Sequence, residues 1–341
     1  MKSKKIAVIG AAVLFAALLC ISAGCVSTTA NGLEITNSDG STTPLSGVPD
    51  RIVLLNSNAG EILYLLGDAD KVIGISQSIA NDPELRAMYP NAKVVGMWDE
   101  PNAEFLISLR TDVIIGYASS KPKNAEVLAA ARIPIVYIDC TKPETMASDI
   151  REIGKLSGNQ KKAEEVAAYY TGVMKKVADM KKVADAANHV EVSPRIYAES
   201  YSPYYCQGTD SGMGQLITFT GGNNIFDEKG SRKVSDEWVV SSNPEIIVKL
   251  ADIMDTAEQT LSELKSRPGF ADISAVKNNK IWIIKNDITY GPRSCAAAVA
   301  LLKMQNPELL PGMTPEGVLK EFNEKFGTAF NTDNLTYPEI K

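Results

Sequence analysis

Flat apolar faces and forked cationic groups recur in this sequence at positions that could meet around one small molecule. Trp98, Tyr117, Tyr201, Tyr204, Tyr205 and Tyr290 offer aromatic surface, while Arg232 and Arg293 offer bidentate hydrogen bonds to carboxylate or catecholate oxygens. Asn56 and Ser57 add small polar groups where a helix begins, a place whose free backbone N–H groups attract oxygen ligands. Together they describe a pocket for a large, partly anionic ligand. Catalytic signatures do not accompany it: there is no Gly-x-Ser-x-Gly, no Walker loop, no His-Glu-x-x-His and no dinucleotide fingerprint. The single histidine, His189, falls near the end of a long helix, where a charge complementing the helix dipole is the simpler reading. We therefore expect a binding protein rather than an enzyme, with no resident cofactor.

The elements that must position these groups are legible in the apolar runs. Arg51-Ile-Val-Leu-Leu55 reads as a buried strand, residues 59–66 as a helix stopped by Gly67, and residues 71–75 as a second strand. Further short runs at Val94-Val95, Val113-Ile-Ile115 and Ile135-Val-Tyr-Ile138 alternate with helical stretches, so residues 48–158 form an α/β lobe. Ligands of such sheets sit beyond the carboxyl ends of the strands. That rule selects the first-lobe residues above, together with Cys140, and in the second half Tyr201 to Tyr205, the turn from Thr209 to Met213, Arg232 and Tyr290 to Arg293.

The second half echoes the first. Gly60-Glu-Ile-Leu-Tyr-Leu-Leu-Gly67 has a counterpart in Gly214-Gln-Leu-Ile-Thr-Phe-Thr-Gly221, and the segment from Glu104 to Ile115 has one in Glu237 to Val248. Between the halves, residues 159–188 form one long amphipathic helix, with Val166, Tyr169, Tyr170, Val173, Met174, Val177, Met180 and Val183 at three- and four-residue spacing. The expected fold class is α/β: two Rossmann-like lobes, 48–158 and 189–341, joined by a single long α-helix, which permits limited tilting around a fixed cleft.

Lys-Ser-Lys-Lys at residues 2–5, an apolar run to Ile21 and Ser22-Ala23-Gly24-Cys25 have the layout of a secretory leader. Small residues directly before Cys25 resemble a lipoprotein signal, so residues 1–25 read as leader and lipidated cysteine, with Ser22 standing where an aliphatic residue is usual. The Ser/Thr/Gly-rich residues 26–47 read as a tether, although Leu33-Glu34-Ile35-Thr36 and Ser38-Asp39-Gly40-Ser41 could instead make an edge hairpin. Three cysteines then remain in the body, Cys140, Cys206 and Cys295. A Cys206–Cys295 disulfide within the second lobe is the expected pairing; thiol ligation of a metal is the alternative, and the shortage of histidine disfavours a zinc site. A net charge of −6 and the lack of a basic cluster exclude nucleic acid as a partner.

Taken in order, Arg51 to Gly67, Pro101 to Ile115, Gly221-Gly-Asn-Asn-Ile-Phe226, Val234-Ser-Asp-Glu-Trp238 and Asn243-Pro-Glu-Ile-Ile247 resemble the single-helix-hinged solute-binding proteins of iron-siderophore, haem and cobalamin ABC importers. The resemblance spans about residues 33–325. It implies a monomeric, lipid-anchored protein on the outer face of the cytoplasmic membrane that passes a metal chelate to a permease with its ATPase. It places Arg293, in Gly291-Pro292-Arg293, on a cleft loop, and it makes Glu104 and Glu237 the paired acids that dock to the permease. A small oxyanion such as molybdate or tungstate, held by Asn56, Ser57 and the Ser211-Gly212 turn, is the alternative cargo.

Overall fold

A computed structural model describes residues 32–188 and 193–340; the leader, Cys25 and His189 lie outside the described residues. The first lobe is a five-stranded parallel sheet of β3 (Ile52–Leu54), β4 (Val72–Ile75), β5 (Lys93–Val94), β6 (Val113–Gly116) and β7 (Ile135–Tyr137), in the order β5-β4-β3-β6-β7. Strands β3 and β6 are buried along their whole length, which is why they read as unbroken apolar runs and not as an alternation. Strand order reverses between β3 and β6, and a crevice opens at such a switch point, beyond the strands' carboxyl ends.

Helix α1 (Ser57–Leu66) is sharply bounded: Asn56 caps its start and Gly67, at φ +86°, ends it in the left-handed region where a Cβ is unwelcome. Helices α2 (Gln77–Asn81), α3 (Pro83–Met88), α4 (Ala103–Ser108), α5 (Ala125–Ala130) and α6 (Met146–Ser157) complete the lobe.

In the second lobe β8 (Arg195–Glu199), β10 (Asn223–Asn224), β12 (Ile246–Ala251) and β13 (Ile281–Lys285) run parallel in the order β10-β8-β12-β13. Antiparallel additions extend both edges: β9 (Tyr205–Cys206) and β11 (Arg232–Lys233) beside β8, and β14 (Thr336–Tyr337) beside β13. Its helices are α8 (Gly212–Phe219), α9 (Asp236–Ser242), α10 (Ala257–Lys265), α11 (Ser274–Lys277), α12 (Ser294–Gln305) and α13 (Pro315–Phe326). The repeat seen in sequence is a repeat of topology: β3-α1-β4 corresponds to β8-α8-β10, and α4-β6 to α9-β12.

Helix α7 (Gln160–Asn188), 29 residues long, joins the lobes. Its Val166, Tyr170, Val173 and Val177 are buried in a central cluster that also holds Leu54, Ile62 and Ile138 of the first lobe and Ile196, Val248 and Leu301 of the second. The lobes thus share one continuous core. Residues 26–47 do not serve as a tether throughout: from Leu33 the chain folds as a hairpin of β1 (Leu33–Thr36) and β2 (Thr42–Leu45), because Ile35 and Leu45 are buried in that same core. Among the described residues no helix is long and apolar enough to cross a membrane.

Candidate ligand cleft

Between the lobes, at the carboxyl ends of β6 and β7, lies a cleft of ≈ 400 Å³. The first lobe contributes Ser38 and Asp39 from the hairpin turn, Tyr117 after β6, and Asp139 and Lys142 after β7; the second contributes Asp210, Ser211 and Gly212 at the start of α8, and Tyr290. A larger space of ≈ 930 Å³ borders Pro44 to Pro49 and Arg132 to Pro134. It faces the amino ends of β6 and β7, where α/β sheets do not bind ligands, and we assign it no role.

Tyr117 is held from two sides. Its hydroxyl lies 3.2 Å from Ser57 Oγ, and its ring meets Trp98 edge to face at 5.9 Å between centroids and 87° between planes. Tyr290 faces it from the other lobe; burial, then the nearby Tyr117, and after them Tyr201 and Asp252, push its hydroxyl up to about 12 against the opposing hydrogen bond with Thr289, so it stays a neutral donor. Gly212 permits this approach: a Cβ there would stand 2.6 Å from the Tyr290 ring. Tyr201 is 64% exposed, and its backbone is fixed from beneath by Lys249, whose Nζ donates to Tyr201 O at 2.9 Å. Lys249 in turn pairs with fully buried Glu199 at 2.9 Å, and Glu199 also accepts two bonds from Arg267 at 2.7 and 2.9 Å. Tyr117 and Tyr290 line the cleft, with Ser57 and Trp98 packed against Tyr117 outside the lining and Tyr201 interacting with Tyr290, so these five are brought together.

The remaining expected ligand residues are not. Arg293 is 2% exposed; its Nε donates to Glu61 Oε2 at 3.1 Å and its Nη1 to Glu84 Oε2 at 3.1 Å, so it ties the second lobe to α1 and α3 and has no donor turned to the cleft. Desolvation in that site drives the Glu61 carboxyl up to about 7 against the pull of Arg293. Asn56 is fully buried and spent as a cap: its Oδ1 accepts from Asn58 N at 2.9 Å and Ala59 N at 3.3 Å, and its Nδ2 donates to Ile138 O. Tyr204 turns inward against Phe270, under Arg267 at 4.5 Å from its centroid. Tyr205 and Arg232 lie on the edge strands β9 and β11 outside the cleft lining, Arg232 stacked 5.3 Å above Phe226 and paired with Glu228.

No Cys206–Cys295 disulfide forms. Cys206 is buried with Tyr197 and Ile247 on one face of the second sheet and Cys295 with Ile196 and Val248 on the other, so the sheet itself separates them. Burial pushes both thiols up to about 12, and the buried Cys140 thiol is likewise raised, which keeps all three out of thiolate chemistry. Among the described residues no group of His, Cys, Asp and Glu could hold a metal ion.

Sequence reasoning missed Ser38, Asp39, Asp139 and Lys142, and reached Asp210 only as part of the turn from Thr209 to Met213. Asp139 was within reach of the strand-end rule, one residue before Cys140, and Asp39-Gly40 is a hairpin-turn dipeptide. Glu104 and Glu237 are exposed in the first turns of α4 and α9, capped alike by Asn102 and Ser235, which accept from Phe105 N at 2.9 Å and Trp238 N at 3.2 Å. A hydrogen bond from its own backbone N–H, followed by bonds involving Asp236 and Ser235, holds the Glu237 carboxyl below the usual range.

Two α/β lobes on one helix with an aromatic cleft between them define a solute-binding protein, and residues 52–288 match the periplasmic binding protein family, to which this chain belongs. Members of that family serve ABC transporters as substrate-binding proteins and are not enzymes. Among relatives, the ABC transporter substrate-binding lipoprotein YvrC of Bacillus subtilis is 27% identical over 72% of this chain and 76% of its own. The vitamin B12-binding protein of Vibrio campbellii is 26% identical over 73% of this chain and 86% of its own. The crystal structure of the TroA-like periplasmic binding protein FepB from Veillonella parvula superposes with a TM-score of 0.73 at 25% identity, over 86% of this chain and 96% of that one.

Proposed function

We propose that this protein captures a metal chelate with a neutral, amide-rich periphery, a corrinoid of the cobalamin type, and delivers it to the permease of an ABC importer. The observation that carries this reading is the cleft wall: Tyr117 and Tyr290 face each other across the lobes, with Asp39, Asp139 and Asp210 and a single cation, Lys142, among the described lining residues. Aromatic faces suit a flat macrocycle edge, and carboxylates accept hydrogen bonds from amide N–H groups. An anionic ferric chelate or an oxyanion would meet a net negative wall, and the arginine best suited to an anion, Arg293, is already bound to Glu61 and Glu84. The helix starts that could cradle an oxyanion are occupied too, since Asn56 and Ser211 cap them with their own side chains. The vitamin B12-binding relative supports the same choice.

A space of ≈ 400 Å³ is at the small end of the roughly 300–1,000 Å³ typical of ligand pockets, so it grips one edge of a chelate and leaves the rest exposed. In this reading Cys25 carries the lipid, the protein is a monomer on the outer face of the cytoplasmic membrane, and Glu104 and Glu237 dock to basic residues of the permease.

Calorimetric titration of the purified protein with cyanocobalamin, haemin, a ferric catecholate siderophore and molybdate tests the reading. One-to-one binding of cyanocobalamin is expected, weakened about tenfold, or ~1.4 kcal/mol, by Tyr117→Ala or Tyr290→Ala. Preference for haemin or the ferric chelate would keep the class and replace the cargo, molybdate alone would favour the oxyanion, and no binding would remove the proposal.

A further inference from the structure

The hairpin of β1 and β2 precedes the residues that match the family, which begin at residue 52, yet its turn forms part of the cleft wall. Local chemistry shapes that turn. Asn37 N donates to Ser41 O at 2.8 Å, Gly40 N to Asn37 O at 2.9 Å, and Gly40 takes φ +83°, a conformation a Cβ would strain. Long-range bonds then fix it against β7: Ser38 N donates to Tyr137 O at 2.8 Å, Tyr137 N to Asn37 Oδ1 at 2.8 Å, and Asp139 N to Ser38 Oγ at 2.9 Å. Ser38 Oγ donates to Asp149 Oδ1 at 3.2 Å, and Thr36 N to Glu152 Oε2 at 3.0 Å.

So held, the turn presents Asp39 to the cleft. Asp39 Oδ1 accepts from Ser41 N at 3.0 Å, and Oδ2 pairs with Lys121 Nζ at 3.2 Å, itself 4.7 Å above the Tyr137 ring. The Asp39 side chain remains 35% exposed, leaving its carboxylate able to accept a further bond.

We propose that this hairpin turn is a specificity element of the ligand site, in which the Asp39 carboxylate, braced by Lys121 and Ser41, accepts a hydrogen bond from an amide or ammonium group on the ligand rim. The inference rests on the inter-lobe cleft being the ligand site, as proposed above. It assigns contact and selection to a segment whose composition resembles a linker, and it makes the turn favour neutral or cationic peripheries over anionic ones. The Ser41 bonds and Lys121 hold the Asp39 carboxyl at about 2, so the group is ionised throughout the pH range of binding experiments.

Calorimetry on the full chain and on Asp39→Ala, Asp39→Asn and Glu34→Ala, with cyanocobalamin and the three other ligands of the panel, decides it. Asp39→Ala is expected to lose about three- to tenfold in affinity, the range of one hydrogen bond. Asp39→Asn, which retains an acceptor for Ser41 N, should lose less, with the melting temperature unchanged. Glu34→Ala, exposed on β1 away from the turn, should bind as the parent does. Should Asp39→Ala fold poorly, Asp39→Asn decides alone. Parent-like affinity in the Asp39 variants, while Tyr117→Ala weakens binding, overturns the hairpin's role and leaves the cleft assignment standing. If the parent binds none of the four ligands, the cleft assignment fails and this inference with it.

Discussion

At Arg293 a guanidinium lies 2% exposed between Glu61 and Glu84, and the energetics of that triad are set more by desolvation than by attraction. Glu61 is itself 5% exposed, and burial raises its carboxyl from 4.5 to about 7 although Arg293 opposes the rise. A raised folded value means that the folded protein holds a proton which the unfolded chain has already released. The stabilising contribution is full below pH 4.5 and is lost as pH climbs through about 7. Unfolding by urea across that window should therefore show the parent losing stability relative to Glu61→Gln, by about 1.4 kcal/mol for each step of one in pH and a few kcal/mol at most. A parent-to-variant difference that stays constant with pH would mean that the carboxylate is ionised in the fold without penalty. The role of Arg293 could not be read locally, because Glu61 is 232 positions away; residue type alone gave a forked donor, which suits an anion in a cleft and a buried carboxylate equally well.

Among the elements, α6 and α7 pack most intimately where Gly154 faces Ala163: a Cβ at position 154 would stand 2.3 Å from Ala163 Cβ. Gly154→Ala should gain about 1 kcal/mol in helix propensity and lose about 1–3 kcal/mol to overpacking, for a net loss, and Ala163→Gly in the same chain should recover part of the packing loss. Thermal denaturation of the single and double variants measures this, and additive losses would place the contact elsewhere. Helix α7 itself was legible because its apolar residues from Val166 to Met180 recur at three- and four-residue spacing, although Val183, the last of that series, is 55% exposed, and α1 because Gly67 stops it. Buried parallel strands announced themselves as β-branched runs. The hairpin did not: Ser, Thr and Gly dominate its sequence, and the bonds that fold it onto β7 join Asn37 and Ser38 to residues 100 and 101 positions away. Strand-end reasoning found Tyr117 and Tyr290 but could not say that Tyr204 turns inward, since that depends on Phe270 and Arg267 lying beneath it.

Across the whole molecule, three features resist a wide opening of the lobes: the continuous helix α7, the core cluster drawn from both lobes, and the buried bonds of Arg293 and of Gly291 N to Cys140 O at 3.0 Å. A wide opening would have to break packed apolar contacts between the lobes and separate Arg293 from Glu61 and Glu84. Ligand contacts confined to one edge of a chelate do not readily supply that in addition to the affinity itself. The cleft is therefore nearly fixed in shape, and Glu104 and Glu237, one on each lobe, keep a nearly fixed separation, as the proposed docking to a permease needs. Small-angle scattering with and without saturating ligand should give the same radius of gyration within error for the parent, whereas Arg293→Ala, with the inter-lobe strut removed, should scatter as a broader ensemble that ligand narrows. A marked compaction of the parent on binding would show that the shared core yields, and that the separation of the two glutamates differs between the free and the loaded states.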